Sequence, residues 1–323
     1  MAGNKSLHAA KKEKFDEWYT RMEEINEEMN HYEDKFKGKI IFCNCDDPTW
    51  SNFWRYFHLN FEYLGLKKLI STHYEPGEVQ TYKMEYTGGD DENFEAGTKT
   101  DLRQNGDFRS DECLALLNEA DIVVTNPPFS LFREYVASLM EYKKQFIIIG
   151  NVNAITYKEI FPLILSNKMW LGNGFKNGNA YFSVPKGTDV SKYAKGVYDE
   201  NTGLVKFRNC VWFTNLDHSK RHNLLETTYL YSKKDQMYPD LYPKYDTFDA
   251  IHVGKVAEIP MDYEGIMGVP ITYLDIHNPE QYEIVGVFNH GCDGPWDLSK
   301  CLINGEEKYK RLAIRKKAGA KNG

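Results

Sequence analysis

Asp121-Ile122-Val123-Val124-Thr125-Asn126-Pro127-Pro128-Phe129 joins a short apolar run to a rigid polar turn, and the reading of the chain starts there. Ile122 to Thr125 are all β-branched, with no polar alternation, which is the pattern of a strand buried on both faces of a parallel sheet. Two successive prolines cannot continue such a strand. They fix the backbone just past its end, so the Asn126 amide and the proline carbonyls are held at defined positions.

Outward from this segment the same kind of run recurs at Lys39–Cys43, Lys68–Tyr74 and Gln145–Gly150. Helical patterns lie between them at Ser51–Leu64, where Ser51 or Asn52 is the expected cap, at Asp111–Ala120 and at Phe132–Tyr142. A charged amphipathic helix is expected over Phe15–Phe36, closed by Gly38, and the Gly-, Asp- and Glu-rich stretch Glu75–Asn105 reads as an insertion containing a hairpin. The alternation predicts a doubly wound α/β sheet, mostly parallel. Ligands of such sheets bind beyond the carboxyl ends of the strands, so the loops after Phe42, Tyr74 and Thr125 should gather on one edge.

The 323 residues, 41% of them hydrophobic and 14% aromatic, suffice for one large or two moderate domains. No apolar run reaches the roughly 18 to 20 residues of a membrane-spanning helix, and Met1–Lys14 is polar and basic without the apolar centre of a signal peptide. A cytoplasmic protein with no membrane association is expected. Six cysteines, Cys43, Cys45, Cys113, Cys210, Cys292 and Cys301, lack the spacing of a disulfide framework and are read as reduced thiols. Cys43 and Cys45 resemble half a metal site, but no second pair stands at a zinc-ribbon spacing, so no metal is expected. The formal net charge is −7, yet Lys308, Lys310, Arg311, Arg315, Lys316, Lys317 and Lys321 cluster near the end, and Lys5, Lys11, Lys12 and Lys14 near the start. Such runs permit a polyanionic partner and equally suit solvated tails.

Asn126-Pro127-Pro128-Phe129 suits one chemistry in particular. An exocyclic amine on an aromatic base is a weak nucleophile because its lone pair is delocalised into the ring. Hydrogen bonds from its N–H groups to the Asn126 side-chain oxygen and the Pro127 carbonyl would aim the nitrogen and favour the charge that develops on it. Phe129 would stack on a base swung out of its duplex. The plain alternative is a rigid turn that ends a strand.

This tetrapeptide and its setting, Asp121 through Tyr135, resemble the EcoRI adenine-specific modification methylase family. So do Cys43-Asn44-Cys45-Asp46-Asp47-Pro48, Leu64-Gly65-Leu66-Lys67-Lys68-Leu69-Ile70, Gly106-Asp107-Phe108-Arg109-Ser110 and Met267-Gly268-Val269-Pro270-Ile271-Thr272, in shared order from about Phe15 to about Glu283. The resemblance implies a Rossmann-like class I methyltransferase fold, S-adenosylmethionine as methyl donor, an adenine in double-stranded DNA as acceptor and a target-recognition region late in the chain. The catalytic candidates are then Asn126, Pro127, Pro128 and Phe129, with methyl transfer direct and in line. Cytosine C5 methylation would need a cysteine nucleophile, and none follows the proline pair.

By the same resemblance, Asp16-Glu17-Trp18-Tyr19-Thr20 matches the motif near the methionine end of the cofactor. Tyr19 and Thr20 are the candidates there, against an ordinary pair facing the core. Cys43, Asn44, Cys45, Asp46, Asp47 and Pro48 occupy the first cofactor loop, although the glycines usual at this position are missing. Asp46 and Asp47 serve equally well as acids at a helix start. Glu75 stands where an acidic residue commonly holds ribose hydroxyls. Asp107 and Phe108 match the motif that receives the cofactor's adenine, the alternative being a plain turn.

Beyond Asn151 the pattern is less regular. Tyr181–Pro185 and Cys210–Thr214 are expected to form the antiparallel hairpin that closes the sheet. Residues 1–216 are read as the catalytic domain and 217–323 as the recognition region, where Lys220, Arg221, Asn223, Lys233 and Lys234, with His218 and His222 adjacent, are of the types that read bases and hold phosphates, although a surface helix or loop would look the same. The resemblance also implies a monomer in a restriction-modification setting, sharing its site with a cognate endonuclease without a stable complex. An amino-methyltransferase of RNA, cytosine N4 or protein glutamine is the nearer alternative, a silent DNA-binding relative the farther.

Overall fold

Four runs of β-branched and aromatic residues become the parallel centre of a sheet, as their uninterrupted hydrophobicity demands. The computed structural model describes residues 19–75, 77, 79–184, 189–289 and 294–320. Within it β2 (Ile40–Cys43), β3 (Lys68–Thr72), β6 (Ile122–Thr125) and β7 (Gln145–Asn151) run parallel in the order β3-β2-β6-β7. Every residue of β2 and β6 is buried.

On one side the expected hairpin in the insertion, β4 (Tyr82–Tyr86) and β5 (Thr98–Asp101), extends the sheet antiparallel. On the other, β12 (Cys210–Thr214) pairs antiparallel with β7, and β8 (Trp170–Leu171) follows as the last strand of eight. The fold is α/β with a large mixed sheet. Its strand order reverses between β2 and β6, since the chain steps outward to β3 and then crosses back.

Two expectations are corrected. Phe15–Phe36 is not one helix: among the described residues β1 (Tyr19–Thr20) precedes helices Met22–Met29 and Glu33–Phe36. Tyr19 and Thr20 pair with Ser183 and Phe182, and Arg21 stays extended, so ladder hydrogen bonds override the helical pattern before Met22. Residues 15–18 of that stretch, with the basic cluster Lys5 to Lys14, Cys292 and Lys321, lie outside the described residues. Nor do Tyr181–Pro185, of which Pro185 lies outside the described residues, and Cys210–Thr214 form one hairpin. β9 (Ala180–Ser183) lies in a separate sheet, ordered β1-β9-β11-β10 with β10 (Tyr198–Asp199) and β11 (Leu204–Phe207), while β12 alone joins the large sheet. Both segments alternate acceptably as strands, and side-chain patterning does not specify a partner.

The core of this unit is aromatic: Trp54, Phe53, Phe57, Tyr32, Phe36, Phe182 and Trp212 are buried together with Ile41, Val124, Ile147 and Ile149. Glu28, also buried, accepts the Tyr32 hydroxyl at 2.9 Å and the Asn173 and Gly174 amides at 2.9 and 3.0 Å, fastening helix Met22–Met29 to the loop before β9.

The chain divides into two compact units, one of residues up to 153 and 171–216, the other of 154–170 and 217–323. The second is built on β13 (Ala250–His252), β14 (Ile266–Pro270), β15 (Tyr282–Phe288), β16 (Asp297–Ser299) and β19 (Arg311–Lys316), in the order β13-β14-β19-β15-β16, with β17 (Leu302–Ile303) and β18 (Glu306–Glu307) as a small hairpin. It has its own core of Tyr245, Ala250, Phe288, Cys301, Ile303 and Ala313. Several of its basic residues have internal partners. Arg221 is buried with its guanidinium 3.7 Å from the Trp170 ring centroid, Lys220 meets Asp275 at 2.7 Å, Lys234 meets Asp235 at 2.7 Å and Arg315 meets Glu283 at 2.6 Å.

Candidate active site

The carboxyl ends of β2, β3 and β6 are where apolar strands turn polar, at Asn44, Ser71-Thr72 and Thr125, and the hydroxyls among them bond residues 43 to 46. Ser71 Oγ donates toward the Cys43 carbonyl at 3.0 Å and to the Asp46 carbonyl, and Thr72 Oγ1 donates to the Asn44 carbonyl at 3.2 Å. The loop after β2 is thereby stapled to β3. Asn44 is buried, and its side-chain oxygen accepts from the Tyr135 hydroxyl of helix Phe132–Glu141.

Asp46 links the loop after β2 to the one after β6. Its carboxylate is buried, accepts Ser51 Oγ at 2.9 Å and Thr125 Oγ1, and takes the backbone N–H of Asn126. Burial pushes its carboxyl up to about 7, against these three donors, which favour the charged form. Ser51 is the helix cap that the sequence suggests: its oxygen also accepts the Phe53 amide at 3.1 Å at the start of helix Asn52–Leu59. Asp47 follows in the same turn, its side chain largely covered. It accepts Thr49 N and Oγ1 at 2.8 and 2.7 Å, the Tyr82 hydroxyl at 3.0 Å and His73 Nδ1 at 2.8 Å. Burial first, then the neighbouring Asp47 charge, moves the Tyr82 hydroxyl up to about 12.

The remaining residues of that loop divide between core and edge. The side chains of Cys43 and Pro48 are buried and Cys45 is half-buried, and burial together with Asp46 raises both thiols well above their ordinary range. Protonated thiols are poor nucleophiles, so no cysteine here is poised for covalent chemistry.

The N-terminal strand reaches the residues that follow this loop. Tyr19 lies 3.8 Å, centroid to centroid, from Trp50, and Asn52 Nδ2 donates to the Thr20 carbonyl at 2.8 Å. Thr20 Oγ1 is buried and has no hydrogen-bond partner among the described residues.

Gly106 brings the fourth segment in. Its φ is +74°, and a Cβ there would overlap the His73 carbonyl oxygen, so only glycine lets residues 105–108 lie against the end of β3. Glu75 donates its amide to the Asn105 carbonyl at 3.2 Å across this approach. Asp107 accepts Arg109 N and Nε on Oδ1 at 2.9 and 2.8 Å and Arg109 Nη2 on Oδ2 at 2.6 Å, and this guanidinium holds its carboxyl below the usual carboxylate range. Phe108 is buried edge-on against Tyr135, with ring centroids 5.0 Å apart.

Asn126 is half-buried with its side-chain oxygen inside, Pro127 is buried, and Phe129, half-buried against the main core, opens a short 3-10 turn in which the Pro128 carbonyl accepts Leu131 N at 3.0 Å. The loops after β2, β3 and β6 thus meet as expected, joined by the Asn105–Phe108 segment. Sequence reading missed Ser71, Thr72, Thr125, Tyr135 and Arg109. The first three carried a signal, hydroxyls at the carboxyl end of an otherwise largely apolar strand, which need partners once buried. Among the described residues no three His, Cys, Asp or Glu side chains group as a metal site would, and no helix is long and apolar enough to cross a membrane.

Comparison with known proteins agrees over nearly the whole chain. The chain is 44% identical over 327 residues to the type II methyltransferase M.EcoRI of Escherichia coli, covering 98% of both chains. It is 36% identical to M.MgeORF184P of Mycoplasma genitalium, over 96% of this chain and 98% of the relative, and 38% identical to M.MpnI of Mycoplasma pneumoniae, over 86% and 84%. No solved structure matches it. The family described as adenine-specific methyltransferase EcoRI matches residues 6–322, and the chain, with its strand-end Asn-Pro-Pro-Phe loop, belongs to that family.

Proposed function

We propose that this protein is a site-specific DNA methyltransferase that transfers the methyl group of S-adenosylmethionine to N6 of an adenine swung out of duplex DNA. The observation that carries the reading is the position of Asn126-Pro127-Pro128-Phe129, at the carboxyl end of β6 and tied through Asp46 to the loop after β2, where the strand order reverses. That crevice is where doubly wound sheets bind their ligands, and we read the mixed sheet as a member of that class.

The residues present fit the cofactor. Thr20 Oγ1 is a buried polar atom lacking a partner among the described residues, in a strand whose Tyr19 ring meets Trp50 and whose Thr20 carbonyl accepts Asn52, just after the loop Cys43–Pro48. Asp107 gives three of its roughly four acceptor positions to Arg109, leaving one on Oδ2 for an amine, with Phe108 adjacent. Tyr19 and Thr20 would hold the amino-acid end, backbone groups of residues 43–48 the centre, Glu75 the ribose, and Asp107 with Phe108 the adenine. When bound, S-adenosylmethionine supplies an electrophilic methyl on a sulfonium.

This chain's own residues then orient the acceptor. Asn126 accepts one N–H of the adenine amine through its side-chain oxygen. The Pro128 carbonyl is engaged by Leu131, so Pro127 offers the second acceptor. Phe129 stacks on the base. Both acceptors sit on a backbone that two prolines keep from rearranging, so little reorganisation accompanies the charge developing on nitrogen. Residues 1–216 carry this chemistry, and 217–323 read the target. A restriction-modification setting completes the reading and is supported by the type II names of the relatives; we read the protein as a cytoplasmic monomer that does not stably bind its endonuclease.

The test is to incubate the purified protein and S-adenosylmethionine with duplex DNA and, separately, with RNA, and to quantify modified nucleosides by mass spectrometry. N6-methyladenine in the DNA sample alone is expected. N4-methylcytosine, or methylation of RNA alone, would overturn the choice of acceptor.

A further inference from the structure

We propose that Asp46 is a positioning residue for methyl transfer, its charged carboxylate holding the Asn126-Pro127-Pro128-Phe129 loop in register with the loop after β2. The inference rests on the reading of Asn126 as an acceptor for the reacting amine. It reassigns Asp46, which the resemblance places among cofactor ligands, from touching the cofactor to acting through Asn126.

One carboxylate receives three donors from two segments: Ser51 Oγ at the start of helix Asn52–Leu59, and Thr125 Oγ1 with the backbone N–H of Asn126 itself at the end of β6. Its own carbonyl accepts Ser71 Oγ from β3. An acceptor-only group is what three converging donors require. Stability alone does not call for it, because a buried charge is costly and an apolar contact would join the same strands. The carboxylate bonds the amide of the residue whose side chain is assigned to the base, so its loss would be felt at that side chain first.

Protonation breaks the arrangement. One carboxyl oxygen then becomes a donor facing hydroxyls that already donate, and although Ser51 and Thr125 can rotate, the Asn126 N–H cannot. The groups that face Asp46 are Cys43, Cys45 and Asp47 on its own loop, and Tyr135 from helix Phe132–Glu141, besides Ser51 and Thr125. Burial drives the two thiols and the Tyr135 hydroxyl well upward, so they stay neutral through the neutral pH range, while Asp47 adds to the upward push on Asp46. The acid limb of the rate therefore belongs to Asp46, near pH 7.

The experiment is single-turnover methylation of duplex DNA from about pH 5.5 to 9, for the wild type, Asp46→Asn and Asn126→Ala, with S-adenosylmethionine affinity measured on each. The wild-type rate should fall about tenfold per unit below pH 7. Asp46→Asn should be on the order of 10²-fold slower, bind the cofactor within about twofold of wild type, and lack the acid limb. An Asp46→Asn protein with wild-type rate, or with the limb intact, overturns the proposal. If Asn126→Ala is slow and Asp46→Asn is not, this inference alone fails; if Asn126→Ala turns over normally, the reading beneath it fails. Should Asp46→Asn not fold, Thr125→Val and Thr125→Ser replace it. Removing the Thr125 donor should move the acid limb to higher pH and Thr125→Ser should restore it, and an unmoved limb in Thr125→Val overturns the proposal.

Discussion

Asn126 and Asp107 make opposite demands on an assay, which is how their roles can be separated. On the proposed mechanism, Asn126→Ala removes an acceptor for the reacting amine and leaves the loop after β2 in place. Turnover should drop on the order of 10²- to 10³-fold with S-adenosylmethionine affinity unchanged, as read by single-turnover kinetics and calorimetry. Asp107→Ala should act on binding first, weakening the cofactor about 10- to 100-fold by calorimetry through loss of a charge-assisted hydrogen bond. An unaltered affinity would remove Asp107 from the site. Arg109 occupies most of the Asp107 carboxylate and also faces Glu134 at 3.4 Å, so it sets the orientation of the acceptor that remains.

At the scale of elements, the caps and close approaches matter more than the strands they serve. Ser51→Ala deletes both the cap of helix Asn52–Leu59 and a donor to Asp46, and urea unfolding should register a loss of about 1–2 kcal/mol. Gly106→Ala places a side chain against the His73 carbonyl in a left-handed backbone conformation. It should cost on the order of 2 kcal/mol or more and loosen cofactor binding, whereas wild-type stability would mean the approach of residues 105–108 to β3 is not tight. The strands with continuous apolar runs, β2, β3, β6 and β7, were legible in the sequence because burial on both faces leaves no other use for such runs. β1 was not: two residues that pair with Ser183 and Phe182 carry no pattern of their own, and their helical spacing pointed elsewhere. Nor was the separation of Tyr181–Pro185 from Cys210–Thr214 legible, since register and partner depend on the surrounding sheet.

Across the whole molecule, Asp46 sets stability and activity against each other. Its folded-state value of about 7 lies above the ordinary 3.8, so between those pH values the folded chain keeps a proton that the unfolded chain has lost. The stability this group contributes is complete below the ordinary value and is lost as pH rises through about 7, a difference on the order of 4 kcal/mol. Thermal unfolding followed from pH 4 to pH 8 should show this decline in the wild type and a flatter curve in Asp46→Asn, while activity runs the other way. A site that keeps such a charge gives up stability for geometry. The sequence disclosed which loops would meet, through Asn126-Pro127-Pro128-Phe129 and the strand alternation, but not that a single buried carboxylate joins two of them, because both Asp46 and Asp47 suited a helix start equally well. The most direct test is position-resolved sequencing of methylated adenines in plasmid DNA treated with the wild type or Asn126→Ala in the presence of S-adenosylmethionine. N6-methyladenine at one recurring short sequence, lost in Asn126→Ala, is the expected result; equal methylation by both proteins, or none by the wild type while it binds the cofactor, would contradict it.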